Sequence, residues 1–290
     1  MQPAVHAAFD YSVPLDRLTR MIRRAGFEAV ALGGKLDHTP CHTEEGVRWI
    51  RSLCRASGLA VVSIHAPTPQ GAWLFSTDDA KRQESVRLCK AALDAARALD
   101  AGHVVAHVAA PLADPAEQER ALAAGFDSIR ALADHAAGRG VCLALENWTG
   151  PYNQVLAQFM DAFPDEPVVF CYDAGHEHAD GTGLSVLERY GARLRVVHLH
   201  DNTGRDTHSL PFDSGVDWPR LIGLLRRFNY TGCLLLEAMV KGSAIKAPEL
   251  FLAECMKRAE RLMALAGAGP ARPPRASLRD TAASGDPPCP

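Results

Sequence analysis

Short apolar runs alternate with longer stretches of helical spacing along this chain, and the alternation repeats eight times. The apolar runs predict strands over 4–9, 27–32, 60–65, 103–107, 141–146, 168–173, 194–200 and 233–237. The stretches between and after them predict helices over 14–25, 43–57, 78–99, 115–137, 152–162, 184–190, 218–228 and 247–266. End signals support several of these bounds. Thr43 stands where a helix cap is expected and Gly58 where that helix should stop, while Asp114 and Pro115 open another. Eight strand–helix units in series predict an α/β fold, a single-domain (β/α)8 TIM barrel over residues 1–266. A doubly wound open sheet would carry a glycine-rich phosphate turn after its first strand, and nothing after Phe9 resembles one. Beyond 266 the pattern ends. Pro, Ala, Arg, Ser and Asp take over, and 267–290 is predicted to be a disordered tail.

Composition narrows the function classes. The 290 residues are 47% hydrophobic, enough for one large core. The formal net charge is -3 with no basic run, which argues against a dedicated nucleic-acid surface. Eight cysteines are scattered without a Cys-x-x-Cys pair, several inside apolar runs (Cys142, Cys171, Cys233), and read as reduced core residues. The first residues lack the basic and apolar regions of a signal peptide, and no apolar stretch approaches about 18 residues. The expectation is a cytoplasmic protein with no membrane partner; a homodimer stays open.

Polar chemistry sits where the strands end. The densest stretch is 193–210, RLRVVHLHDNTGRDTHSL, where three imidazoles and two carboxylates fall between His198 and His208. Side chains alternate across a strand, so His198 and His200 point the same way. Strand three ends at His65, four at His107, five at Glu146, six at Asp173 with His176 and His178 beyond, seven at His198 and His200, and eight at Glu237. In a barrel these ends form the face where active sites are built. Parity agrees, because Cys142, Ala144 and Glu146 share one side, as do Cys171 and Asp173, and Leu235 and Glu237. Taken singly, a histidine at a strand end is usually just hydrogen-bonded and a glutamate just solvated. Six consecutive strands ending this way point to a metal or catalytic cluster, because buried His, Asp and Glu are costly unless paired or coordinated. Outside that pattern His6 can reach the mouth but reads as structural, His103 belongs to the opposite end, and His38, His42 and His135 read as loop or helix-surface residues. Trp73 and Phe75 either cover a ligand or pack on a helix; Trp148, next to Glu146, is the better lid.

The ordered motifs SIHAP, VVAHV, LALEN, CYDAGH, VHLHDN, DTH and LLLEA resemble the xylose-isomerase-like barrel superfamily over residues 4–266. That superfamily holds sugar and sugar-phosphate isomerases and epimerases, and the zinc-dependent apurinic endonucleases. The resemblance implies a metal site of Glu146, Asp173, His198 and Glu237. His198 is preferred because relatives carry an acid three positions after the ligand, where Asp201 stands; His200 stays open. The implied cofactor is a divalent ion, Mn, Zn, Co or Mg. The implied activity is a sugar or sugar-phosphate isomerase or epimerase, with Glu146 and Glu237 moving the proton through a metal-stabilised enediolate. The partner is then a small carbohydrate. His65, His107, His176, His200, Arg205, Asp206 and His208 would bind substrate oxygens or further metal. In the endonuclease branch His65 and His107 would hold one extra zinc, and His176, Asp206 and His208 another. An apurinic/apyrimidinic endonuclease-type phosphodiesterase is therefore the alternative. Against it, PTPQGAW and VAAPLADP replace that branch's DNA-contacting loops, and no basic surplus meets phosphates. A related dehydratase, or a barrel that binds a ligand without turnover, is the second alternative.

Overall fold

The computed structural model describes residues 1–108 and 114–267. The tail expected over 267–290 therefore lies, apart from Gly267, outside the described residues. Eight parallel strands close on themselves in sequence order. They are β1 (Gln2–His6), β2 (Ala29–Leu32), β3 (Ala60–His65), β4 (His103–His107), β5 (Cys142–Glu146), β6 (Val168–Asp173), β7 (Leu194–Leu199) and β8 (Cys233–Leu236). Closure is made by β1, which pairs with both β2 and β8. The surrounding helices are α1 (Leu15–Arg24), α2 (Glu44–Ser57), α3 (Asp79–Ala98), α4 (Pro115–Arg139), α5 (Tyr152–Ala162), α6 (Ala174–Asp180), α7 (Ser185–Tyr190), α8 (Trp218–Arg227) and α9 (Pro248–Leu265). Thr43 caps α2 and Asp114 caps α4 through their side-chain oxygens, as the sequence predicts.

Two apolar clusters hold the barrel. The larger lies between strands and helices. The smaller fills the interior with Ala4, Ala29, Ala31, Val105, Ala144, Val169, Cys171, Val196 and Leu235. Four of these are alanines, so the lumen closes on small side chains. Alternation then dictates what comes next. Two positions beyond Ala4, Val105, Ala144, Cys171, Val196 and Leu235 stand His6, His107, Glu146, Asp173, His198 and Glu237. The cross-strand register sets His107 opposite Glu146 and Asp173 opposite His198. Among the described residues no helix is long and apolar enough to cross a membrane.

Three departures from the pattern matter. The first strand ends at His6, not Phe9, because Ala7–Asp10 folds into a 3₁₀ turn whose apolar residues stay buried. Burial of Ala7, Ala8 and Phe9 in either conformation is why they read as strand. The expected strand seven stops at Leu199, just short of His200. The polar stretch 174–180 forms α6, with the Asp173 carboxylate accepting the His176 N–H at 2.7 Å as its cap. The loop after β3 also resolves an open choice. Phe75 is buried against Phe159, ring centroids 5.4 Å apart, and so packs on helices instead of covering the mouth.

Gly125 on α4 is what lets that loop pack, since a Cβ there would lie 2.4 Å from the Phe75 ring. Gly125→Ala gains about 1 kcal/mol of helix propensity but overpacks a buried ring at a cost of about 1–3 kcal/mol. The expected outcome is a net loss of stability in urea unfolding followed by circular dichroism. A net gain would mean that the Phe75 ring is not held there.

Candidate metal and catalytic site

The strand ends bring together residues far apart in the chain. Glu146, Asp173 and His198 are at most 1% exposed and Glu237 is 7% exposed. Their ligand atoms, one per residue, lie within 4.8 Å of one another. The two glutamates approach one nitrogen: His198 Nδ1 is 2.7 Å from Glu146 Oε1 and 2.8 Å from Glu237 Oε2. One imidazole nitrogen carries one proton at most, so it can satisfy only one of those oxygens. Burial by itself would push both carboxyls up. The His198 ring beside both outweighs burial and holds both well below the usual carboxylate range.

Two further groups flank this one. His65, His107 and Glu146 form the first, with His107 Nε2 at 2.8 Å and His65 Nε2 at 3.6 Å from Glu146 Oε2. His176, His200, Asp206 and His208 form the second. There Asp206 meets His208 Nε2 at 3.2 Å and His176 Nε2 at 3.5 Å. His200 turns its Nε2 to Asp173 Oδ1 at 3.0 Å and stacks on His208 with ring centroids 3.9 Å apart. The geometry thus separates the two histidines of β7 and its exit: His198 joins the carboxylate group, and His200 braces Asp173 and His208. Gly175 makes room for this, since a Cβ there would meet the His200 ring at 2.0 Å.

Backbone partners fix which face each ring presents. Nδ1 of His65 faces the Ala66 carbonyl at 2.9 Å, that of His176 the Asn147 carbonyl at 3.0 Å, and that of His208 the Glu237 carbonyl at 2.9 Å. A carbonyl only accepts, so each Nδ1 donates and each Nε2 is left to take a proton or an ion. A backbone-anchored ring of this kind is the usual arrangement of a metal-binding histidine. Burial opposes charging these rings. Asp173 and Asp206 outweigh it at His176, raised to about 10, and Asp206 and Glu237 outweigh it at His208, raised to about 9. His6 is the reverse case: its Nδ1 accepts the Ala8 N–H at 3.1 Å, and burial lowers it to about 4.

The donor set fits a divalent cation. Three buried carboxylates and one imidazole converge, and Glu146 Oε2 and His198 Nε2 are buried without a hydrogen-bond partner. Mixed oxygen and nitrogen donors suit Mn, Zn, Co or Mg. The supporting residues are as buried as the site. Asn147 clamps the Asp173 backbone, donating to its carbonyl at 2.9 Å and accepting its N–H at 2.7 Å. Asp201 ties the loop that carries Asp206 and His208. It accepts from the Ser214, Gly215 and Val216 N–H groups and from Trp218 Nε1 at 3.1–3.2 Å.

Above the carboxylates lies a cavity of about 200 Å³ lined by His6, Tyr11, Gly34, His65, Thr68, His107, Trp148, His176, Asp206, His208, Glu237 and Met239, among others. Trp148, expected as a lid, stands over His107 at 4.1 Å and stacks on His176 at 5.8 Å between centroids. Arg205 is exposed and is not among the lining residues. Tyr11, Thr68 and Met239 carried no signal in the sequence. Asn147 did, as the residue that follows Glu146.

Comparison with known proteins gives a consistent picture. A family model described as xylose isomerase-like TIM barrel matches residues 20–256. The protein y4fM of Sinorhizobium fredii (strain NBRC 101917 / NGR234) is 31% identical over 242 residues, which are 72% of this chain and 76% of that one. Fructoselysine 3-epimerase of Escherichia coli O157:H7 is 23% identical over 266 residues, 87% of this chain and 94% of that one. Among solved structures, a D-tagatose 3-epimerase-like protein superposes with a TM-score of 0.75 at 18% identity, covering 92% of this chain and all of its own. A D-psicose 3-epimerase determined in the presence of D-fructose gives 0.75 at 16% identity, with the same coverage.

An ion entering the group of His176, Asp206 and His208 must displace protons from rings whose pKa values are raised to about 10 and about 9. Below those values the protons compete, so affinity should rise with pH from 6 to 9. Zinc added to metal-free protein at pH 7 should release protons into a weakly buffered indicator, and His208→Ala should release fewer. Zinc uptake with no release would contradict the ring assignment. Separately, Asp201→Ala strands the buried Val216 N–H and Trp218 Nε1–H, each worth about 1–3 kcal/mol, and frees the half-buried Ser214 and Gly215 N–H groups. A loss of about 3 kcal/mol or more is expected in urea unfolding, with weakened zinc binding; unchanged stability would show the knot to be dispensable.

Proposed function

The chain belongs to the xylose isomerase-like TIM barrel family, and from that premise we propose that it is a divalent-metal-dependent epimerase or isomerase of sugars or sugar phosphates. The observation that carries the reading is the pair of glutamates on β5 and at the end of β8. Each turns one oxygen to His198 Nδ1 and keeps the other for a different neighbour. Glu146 Oε2 lies 2.8 Å from His107 Nε2, an ion-pair contact without hydrogen-bond geometry. Among the described residues the ion-pair contact of Glu237 Oε1 is with His6 Nε2, at 3.7 Å. Two carboxyl groups on separate strands, one ionised and the other carrying a proton when turnover begins, are what is needed to take a proton from one face of a carbon and return one to the other. Glu146, Asp173, His198 and Glu237 would hold the ion. When bound, that ion supplies the positive charge that acidifies a C–H next to a carbonyl. The chain's own residues do the rest. Glu237 accepts the proton as a carboxylate; Glu146, beside His107, takes up a proton from water before turnover and delivers it to the opposite face, and Glu237 returns its proton to water to close the cycle. Trp148 and the histidine rings wall the cavity from water. Its volume, below the roughly 300–1,000 Å³ of drug-sized pockets, suits a monosaccharide-sized substrate. The epimerases among the similar proteins agree with this reading.

A second reading has one observation in its favour. The groups of His65, His107 and Glu146, and of His176, His200, Asp206 and His208, offer places for two more ions beside the first. A multi-ion phosphodiesterase would use all three. The net charge of -3 gives a nucleic-acid backbone little to bind.

The glutamates provide the test. Ketohexoses incubated with the Mn-loaded protein in D₂O should epimerise or isomerise with deuterium incorporated at the reacting carbon. Glu146→Gln and Glu237→Gln should each lower kcat by about 10²–10⁴-fold. In an epimerase each variant should still exchange deuterium into one epimer but not the other. Full turnover by both variants rejects the proposal. Three zincs per chain, hydrolysis of bis(p-nitrophenyl) phosphate and no sugar turnover would instead support the second reading.

A further inference from the structure

The histidines in the mouth are not equivalent. His65, His176 and His208 each give their Nδ1 proton to a backbone carbonyl, which leaves Nε2 as the side that holds a proton or an ion. Among the cavity-lining rings whose Nδ1 meets the backbone, His6 alone meets an N–H, that of Ala8 at 3.1 Å. An N–H only donates, so Nδ1 of His6 must be the bare nitrogen and Nε2 must carry the hydrogen. The cause lies in the chain: β1 ends at His6 and turns at once into the 3₁₀ segment Ala7–Asp10, whose first free N–H the ring caps. His6 therefore cannot offer a lone pair to an ion. It can only donate, and it donates inward. The residue is 2% exposed, lines the cavity, and its Nε2 is buried without a hydrogen-bond partner. The carboxylate oxygen that faces it, Glu237 Oε1, is 3.7 Å away, beyond hydrogen-bond reach. A buried donor left unpaired costs free energy until something supplies an oxygen.

We propose that His6 is a further catalytic residue, a tautomer-locked donor whose Nε2–H holds a carbonyl or hydroxyl oxygen of the sugar next to the carbon whose proton Glu237 moves. This rests on the carbohydrate reading of the site. A neutral donor fixed by the backbone adds no charge to compete with the cation group. It meets the substrate from β1, next to Glu237 and across the mouth from His107 and Trp148. Because it is preset, it needs no reorganisation when negative charge builds on that oxygen, which is where a fixed donor contributes most.

The test uses the full-length, Mg-loaded protein labelled with ¹⁵N-histidine. In the free protein the ring whose signals vanish in His6→Phe should show the Nε2–H tautomer, with Nδ1 unprotonated. D-fructose or D-tagatose should shift its Nε2–H resonance downfield. In Mn-loaded enzyme His6→Phe keeps the ring's bulk but loses the donor, and should lower kcat/KM by roughly 10²-fold or more, mostly in kcat, as loss of one such donor does elsewhere. Its metal content should be unchanged, and His6→Gln, which restores an N–H, should recover part of the loss. A Nδ1–H tautomer overturns the proposal. So does wild-type turnover in His6→Phe, or an activity loss matched by metal loss. If no sugar is turned over but the Nε2–H resonance still shifts with ketose, the epimerase reading fails and the donor assignment stands. If neither turnover nor shift is seen, both fail.

Discussion

Three carboxylates buried around one imidazole nitrogen are the constraint to which the rest of this barrel answers. Glu146, Asp173 and Glu237 crowd together away from solvent, and the two glutamates keep their ionised form only because the His198 ring stands between them. A second residue layer relieves part of that repulsion. His107 Nε2 stands 2.8 Å from the outer oxygen of Glu146, His200 takes an oxygen of Asp173, and the Asp173 carboxylate also caps α6. What remains is the charge deficit that a divalent ion would fill. The site is therefore costly to the fold. Its stability comes from elsewhere: the small apolar residues that close the lumen beneath, the larger apolar shell outside, and the Asp201 knot that holds the rim.

Polarity at Nδ1 is the second organising feature. Each ring in the mouth is a symmetrical piece of chemistry until the backbone breaks the symmetry. Carbonyls of Ala66, Asn147 and Glu237 leave Nε2 of three rings to hold a proton or an ion, and one N–H, from Ala8, makes a donor of the fourth. Two of the carbonyls belong to segments immediately beside the carboxylates: Asn147 follows Glu146, and the third is the carbonyl of Glu237 itself. The strand ends thus present the acids and also orient the neighbouring rings. The same economy is visible in Asn147, which clamps Asp173 with its side chain and orients His176 with its carbonyl.

Much of this was legible beforehand because a barrel strand has a strict period. Once Ala144 or Leu235 is placed inside, Glu146 and Glu237 have no choice of side. The apolar runs and the caps at Thr43 and Asp114 set the eight-fold alternation for equally local reasons. Local reasoning failed where two conformations bury the same residues. Ala7, Ala8 and Phe9 are as apolar in a 3₁₀ turn as in a strand, so the end of β1 was misplaced and His6 was read as structural. The stretch AGHEHAD is too short and polar to announce α6 without the Asp173 cap. Arg205 sits between residues that reach the site, yet it is exposed. Sequence proximity does not determine direction in a loop.

The chain's sequence by itself determined the fold class, the end of the barrel that carries the chemistry, and the acids and imidazoles gathered there, because all three follow from periodicity along single strands. Only the tertiary structure decided how those residues divide among groups and which ring nitrogen each histidine presents. It set His198 against the glutamates and His200 against Asp173, and it turned His6 from a bystander into an inward donor. Those outcomes depend on contacts between strands and loops up to dozens of residues apart, and on whether a carbonyl or an N–H lies against a ring. No pattern within one segment encodes either.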